Sequence, residues 1–203
     1  MAEAAVKRES LEAVLRGAWK MLQRGVDRYN DPFHCPVLGT SREDGSRLRT
    51  VILRQFDSVE RRLICHTDSR AAKVGEISRC ADVAWLFYHP KKKVQIRISG
   101  PVTLHTADDF ADEQWAAAKA TSRLNYCAAE PPGSVIEQPT SGLPDFLLNK
   151  APTLLNTEPG RKNFMVIAGR IESLDWLQLS ILGNRRARFE WTATGMAAAW
   201  LIP

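Results

Sequence analysis

At Asp31-Pro32 the spacing of apolar residues changes, and this change constrains the fold more than any other feature of the chain. Before it, Leu11, Val14, Leu15, Ala18, Trp19, Leu22 and Val26 fall at helical spacing and predict one amphipathic helix from about residue 9 to residue 28. That apolar stripe needs a cover, either a sheet of this chain or a partner subunit. After Pro32 the apolar residues come in short extended blocks separated by turn signals. Phe33 to Thr40 and Leu48 to Phe56 flank Glu43-Asp44-Gly45-Ser46, which reads as a hairpin. Arg62 to Thr67 is a third strand. Val83 to His89 is a nearly continuous apolar and aromatic run, the pattern of a strand buried on both faces. Lys91 to Lys93 turns it back into Val94 to His105, where Gly100-Pro101 marks a bulge or bend.

Helices interrupt this β pattern. Ser69 or Asp68 is a candidate cap for a helix running to about Cys80, with Val74 and Ile77 inward. Thr106 and Asp109 have capping-box spacing and start a helix to about Thr121, followed by a second piece from Ser122 to Ala128. A connection over about residues 130–162 holds six of the eleven prolines, and Leu143 to Leu155 is apolar enough for a short helix within it. So long a connection is expected to cover a neighbouring subunit or a ligand site. Strands resume at Asn163: Phe164 to Gly169, Ile171 to Ser180, Arg186 to Ala193, then Thr194-Gly195 and Met196 to Ile202. The expectation is a single domain over residues 1–203, mainly β with α additions, whose seven or eight antiparallel strands form a small barrel.

Composition removes several function classes. No apolar run approaches the ~20 residues of a membrane span, and Met1 to Glu12 carries charges of both signs without the apolar core of a signal peptide. A cytoplasmic location is the default expectation. Cys35, Cys65, Cys80 and Cys127 are far apart, with no Cys-x-x-Cys pair. Joining His34-Cys35 to Cys65-His66 as a zinc site fails because neighbours on a strand point to opposite faces, so no metal is expected. The net charge of +5 suits an anionic small ligand as well as nucleic acid. Lys91 to Lys93 lacks the interleaved aromatics of a nucleic-acid surface, and no such partner is expected.

Candidate functional residues concentrate between Arg49 and Gly100. Arg49-Thr50-Val51-Ile52-Leu53-Arg54 reads as one strand on which Arg49 and Arg54 face opposite sides. Thr67 and Lys73 bracket a helix start, where free N–H groups and the helix dipole favour a phosphate. Gln95 carries a carboxamide that can both donate to and accept from the edge of a heterocycle. Taken singly, Arg49 reads as an exposed cross-strand residue, Lys73 as a solvated helix residue and Gln95 as a strand residue satisfying the backbone. His66 and His89 have no paired nucleophile or carboxylate and read as strand residues, and Trp176 and Trp191 as core or interface rather than flavin stackers.

In order and spacing, these segments resemble the FMN-binding half of the pyridoxamine 5'-phosphate oxidase family. The similarity covers most of Phe33 to Pro203. The resemblance implies an FMN-binding split β-barrel. It places the phosphate on Arg49, Thr67 and Lys73, with Arg70 as a local addition. It places the flavin ring against Thr50, Val51, Ile52, His66 and Gln95. A Gln-Ser pair that follows the family's central helix becomes Thr121-Ser122-Arg123, which puts Ser122 and Arg123 at the cofactor. Arg188, before the terminal Trp200-Leu201-Ile202-Pro203, matches a flavin-contacting arginine. Arg54, with Arg123, falls on the substrate side. The family builds its pocket from two chains, so a homodimer is implied, with a small-molecule substrate or electron donor.

Departures bear on substrate more than on cofactor. The family's Arg-Lys phosphate pair is Ala72-Lys73 here, Asp109 to Ala120 offers no arginine where the family grips its substrate, and an Arg-Leu-His segment becomes Arg185-Arg186-Ala187. The reading is therefore an FMN-dependent oxidoreductase distinct from the vitamin B6 oxidases. A flavin-binding or flavin-sensing protein without turnover is the alternative, and a nucleic-acid-binding barrel a distant third.

Overall fold

The computed structural model describes residues 10–203. The expected helix start at Glu9, and most of the Met1 to Glu12 segment read above, lie outside the described residues. Ten strands are described: β1 Val37–Arg42, β2 Gly45–Thr50, β3 Gln55–Asp57, β4 Arg62–Asp68, β5 Asp82–His89, β6 Val94–His105, β7 Phe164–Arg170, β8 Ser173–Gln178, β9 Arg185–Thr192 and β10 Gly195–Leu201. The helices are α1 Leu11–Asp27, α2 Ala72–Arg79, α3 Asp109–Ala117, α4 Ala120–Arg123 and α5 Leu154–Thr157. No described helix is long and apolar enough to cross a membrane.

All strand pairs are antiparallel, and β6 is the branch point. Its first half lies between β5 and β8 in the ladder β10-β9-β8-β6-β5-β1-β2; its second half pairs with β7, which continues through β4 to β3. Gly100 makes the bend between the halves. Its φ is +155°, and a Cβ there would fall 2.2 Å from Arg170 O, so only glycine fits. The result is the split barrel expected from the sequence. Its interior holds Leu38, Trp85, Phe87, Ile96, Ile98, Leu174 and Phe189, and Val14, Ala18 and Leu22 of α1 close it. Ser10 caps α1 by accepting from Ala13 N, and Trp19 stacks on Trp191 of β9.

A second cluster lies outside the barrel wall. Ile64, Phe164, Val166 and Ala168 face α3, where Ala111 and Trp115 meet Tyr126. The strand buried on both faces is therefore β7. The sequence reading gave that role to Val83 to His89, but β5 alternates buried and exposed residues because no element among the described residues covers its outer side.

Other local expectations are corrected. Leu48 to Phe56 is two strands, since pairing changes partner after Thr50: Val51 N–H donates to Pro36 O and Leu53 N–H to His34 O, then Arg54 N–H donates to Ile64 O on β4. Pro32–His34 is a 3-10 turn ahead of β1 rather than strand. Neither Asp68 nor Ser69 caps α2; Asp68 turns to Arg70, and the N-cap is Ala71 without a side-chain bond. Asp108, not Thr106, caps α3, while Thr106 donates to Phe164 O and the helix stops at Ala117. The expected helix within Leu143 to Leu155 is reduced to α5. Pro144 and Pro152 deny it continuous N–H donors and Asn149 has φ +56°, so only the segment after Thr153, with its capping box, is helical.

Candidate flavin site

The change of strand partner after β2 determines what the site residues can reach. Arg49 lies opposite Leu38 on the barrel side of β2 and points towards α2. Its Nη2 donates to Glu76 Oε2 at 2.7 Å, and its Nη1 donates to Arg47 O and to Thr40 Oγ1. Thr40 in turn donates to Glu76 Oε2 at 2.6 Å. Burial raises the pKa of Glu76, but the bonds from Thr40 and Arg49 outweigh it and hold the carboxyl below its usual value.

One turn earlier on α2, Lys73 Nζ donates to Thr67 Oγ1 on β4 at 3.0 Å. Burial pushes the Lys73 pKa down, and the nearby Arg49 charge adds to the shift. Two cations, a hydroxyl and the uncapped start of α2 thus share one corner. The chemistry of that donor set fits a phosphate monoester.

On the other face of β4, where His66 points, opens a cleft of about 480 Å³ whose walls include Arg54, Gln55, His66, Gln114, Lys119 and Ser122. Burial in the barrel core drives the Cys65 pKa up to about 12, against the opposing pull of the Lys73 and Arg54 charges. Gln114 orients the His66 ring at 3.2 Å and itself donates to Gln55. Burial lowers the His66 pKa to about 4, with Arg54 contributing, so the ring is neutral at pH 7. Arg54 reaches Ser122 Oγ only at 3.5 Å, and its buried Nε has no partner among the described residues.

Two expected ligand residues have structural work instead. Arg70 is occupied by both Asp68 oxygens and by Ala128 O and Ala129 O, so it does not face the phosphate corner. Arg123 is 5% exposed and donates to Trp115 O, Ala116 O and Ala118 O, while its Nη1 pairs with Glu158 at 3.0 Å. It closes the C-terminal end of α3 rather than lining the cleft. Val51 N–H is also committed, to Pro36 O, which removes it as a donor to a flavin edge. Ile52 lies half-buried in the same crossing.

Gln95, Arg188 and Thr50 lie elsewhere, on the outer face of the sheet. The register aligns Thr50, Val37, Leu86, Arg97, Asp175 and Arg188 across that face, with Tyr88, Gln95, Leu177 and Arg186 in the adjacent row. Asp175, 7% exposed, receives Arg186 at 2.8 Å and Arg97 at 2.9 Å; Arg188 stands off at 3.8 Å. Burial works to raise the Asp175 pKa, but the Arg186 and Arg97 bonds prevail and lower it. Trp176 and Trp191 pack in and against the core, in agreement with the sequence reading.

Sequence reasoning missed Glu76, Thr40, Gln114 and Asp175. For Glu76 a signal existed, since it follows Lys73 by three residues on one helix face. Asp175 was visible as a lone acid between Leu174 and Trp176. Nothing local marks Thr40 or Gln114, whose partners are distant in the chain. The four cysteines are free, and no group of three or more metal-ligating side chains occurs among the described residues.

The chain is thus a split β-barrel with helices over one wall, a corner of two cations at the start of α2, and a separate cleft. Residues 16–106 match the family described as "Pyridoxamine 5'-phosphate oxidase, FMN-binding domain". The fold is similar to a pyridoxamine 5'-phosphate oxidase-related, FMN binding protein from Nostoc punctiforme PCC 73102, with TM-score 0.70 and 22% identity over 93% of this chain and 96% of that one. It is also similar to PhzG from Burkholderia lata 383 in complex with tetrahydrophenazine-1-carboxylic acid, with TM-score 0.70 and 15% identity over 98% and 95%. A protein related to general stress protein 26 from Clostridium acetobutylicum follows at TM-score 0.55 and 10% identity over 86% and 94%. No curated protein matches the chain by sequence.

Proposed function

We propose that the protein is an FMN-dependent oxidoreductase that works as a homodimer and takes a small anionic substrate or electron donor. The observation that carries this reading is the corner of Arg49, Thr67 and Lys73, two cations and a hydroxyl at the start of α2, inside the segment that matches the FMN-binding family. Arg49 and Lys73 hold the phosphate, and the cleft receives the ring. When bound, FMN supplies hydride or electron transfer, and the protein contributes position and electrostatics. His66 offers the ring a neutral, polar wall at physiological pH. Arg54, whose Nε lacks a partner among the described residues, and Lys119 favour an anionic group in the open part of the cleft. The carboxylate bound by PhzG on the same fold agrees with this substrate class.

Gln95 and Arg188 complete the site only from a second copy, because they lie on the outer sheet face. That face also carries the exposed Leu86 and Tyr88, apolar area for a two-fold interface to cover.

The test is the absorbance spectrum of the purified protein and the mass of what denaturation releases. FMN, reducible by NADH or NADPH without oxygen, is the expected result. A protein that neither carries nor binds FMN would falsify the reading, and release of a deazaflavin or haem would reassign the cofactor.

A further inference from the structure

We infer that Glu76 and Thr40 are positioning residues that aim Arg49 at the flavin phosphate, so that a buried carboxylate in an anion pocket strengthens rather than weakens phosphate binding. The inference rests on the flavin reading above and concerns how this chain makes its phosphate corner selective.

The geometry runs against simple charge counting. A carboxylate beside a phosphate repels it, yet Glu76 is 3% exposed and sits on α2 one turn after Lys73, at the centre of the corner. What Glu76 does to Arg49 resolves the conflict. A guanidinium has five N–H groups. Three are engaged here: both on Nη1, by Thr40 Oγ1 and Arg47 O, and one on Nη2, by Glu76 Oε2. Thr40 and Glu76, bonded to each other, share the Nη1–Nη2 end of the group, and Arg47 O takes the other Nη1 hydrogen. The Nε–H and the second Nη2 hydrogen remain, side by side on the other edge, and that edge is a two-pronged donor for a phosphate oxygen pair.

Thr40 locks the arrangement. Thr40 is 2% exposed; its hydroxyl accepts from Arg49 and donates to Glu76 at 2.6 Å, so the three side chains form a closed ring of hydrogen bonds. Glu76 also offsets one of two neighbouring cations. Without it, Arg49 loses its bonded anion, and the Arg49 and Lys73 charges oppose each other with only the pull of Asp68 on Lys73 to offset them. Repulsion would then swing the long Arg49 side chain, 22% exposed, towards solvent.

The experiment compares FMN with riboflavin, which has the same ring and no phosphate, by quenching of flavin fluorescence. The proteins are wild type, Glu76→Gln, Glu76→Ala and Thr40→Val, each checked by thermal unfolding. Glu76→Gln keeps an acceptor oxygen for both Thr40 and Arg49 and removes the charge. It is expected to bind FMN within about threefold of wild type, whereas Glu76→Ala loses about tenfold or more, and Thr40→Val several-fold, with riboflavin affinity unchanged in all. Tighter FMN binding by Glu76→Ala overturns the inference, because repulsion would then be the larger effect. Equal losses for FMN and riboflavin in both Glu76→Ala and Thr40→Val also overturn it, because the residues would then support the fold alone. A wild-type protein that binds FMN no better than riboflavin removes the phosphate reading itself, whatever the variants do.

Discussion

Arg123 lies with its guanidinium 4.5 Å from the centre of the Trp115 ring and donates to Trp115 O at 2.7 Å. One buried cation thereby ends α3, stacks on the aromatic anchor of the second core and reaches Glu158 on the far side of the long connection. Arg123→Ala takes a charged donor from three carbonyls and the cation from Glu158, which keeps only Trp115 Nε1. The expected cost is about 3 kcal/mol of folding stability. Urea unfolding measures it, and flavin affinity of the folded variant is expected to stay close to wild type. A variant of normal stability that has lost flavin would return Arg123 to the ligand site.

The phosphate corner predicts a different pattern. Lys73→Ala and Arg49→Ala each remove a charge-assisted donor, which costs about 1.5–3 kcal/mol of FMN affinity. Riboflavin has nothing to lose, so titration of both flavins separates phosphate grip from ring packing. An unchanged FMN dissociation constant in the double variant rules out these residues as the phosphate ligands.

His66 gives the fold an acid dependence. Its pKa is about 4 in the folded protein against an ordinary 6.5, so below pH 6.5 the unfolded chain binds the proton more readily. The contribution is fully present above 6.5 and is lost as the pH falls from 6.5 towards 4, to a total of about 3 kcal/mol. His66→Gln removes the titration. Denaturation midpoints between pH 7.5 and 4.5 should fall less steeply in the variant than in the wild type; parallel slopes would mean that His66 titrates normally.

The outer sheet face carries the dimer prediction. Leu86 is 37% and Tyr88 45% exposed, beside Gln95 and in register with Arg97 and Arg188. Leu86→Arg adds a cation to a face that already holds three arginines on the single Asp175 carboxylate. Sedimentation should show a wild-type dimer and a monomeric variant, with FMN lost in parallel. Tight FMN binding by a monomer rejects a site shared between two chains.

Periodicity made α1 and most of the hairpins legible, because residues such as Val14, Ala18 and Leu22 declare their face through local spacing alone. What was not legible depends on which element covers which. β5 and β7 are similarly apolar in sequence, and only the placement of α3 over β7 decides which is buried twice. Arg49 and Arg54 read as one strand because nothing local announces that pairing passes from β1 to β4 between them. The family resemblance found Lys73 and Thr67, which do meet, but not the Arg49–Glu76 pair, whose partners lie 27 positions apart. It also assigned Arg123 to ligand, where the carbonyl ends of a neighbouring helix claim it.

Pyridoxamine and pyridoxine 5'-phosphates should be poor substrates. Gripping a second phosphate beside the flavin requires its own donor cluster, and α3 contributes Gln114 to the cleft wall but no arginine. The one arginine just beyond it, Arg123, is consumed by the end of that helix. On β9, Ala187 is fully buried in the barrel core, where no larger polar side chain could reach a pyridine ring, and Arg186 is held by Asp175. Arg54 and Lys119 remain in the cleft, enough for one carboxylate but not for a dianion with several oxygens to satisfy. The loss of two charge-assisted contacts corresponds to a specificity at least about a hundredfold below that of a vitamin B6 oxidase. Steady-state oxidation by the FMN-loaded protein, with oxygen as acceptor, measures it. Comparable efficiency would require Arg54 and Lys119 to hold the phosphate unaided, and Arg54→Ala would then abolish turnover while leaving bound FMN in place.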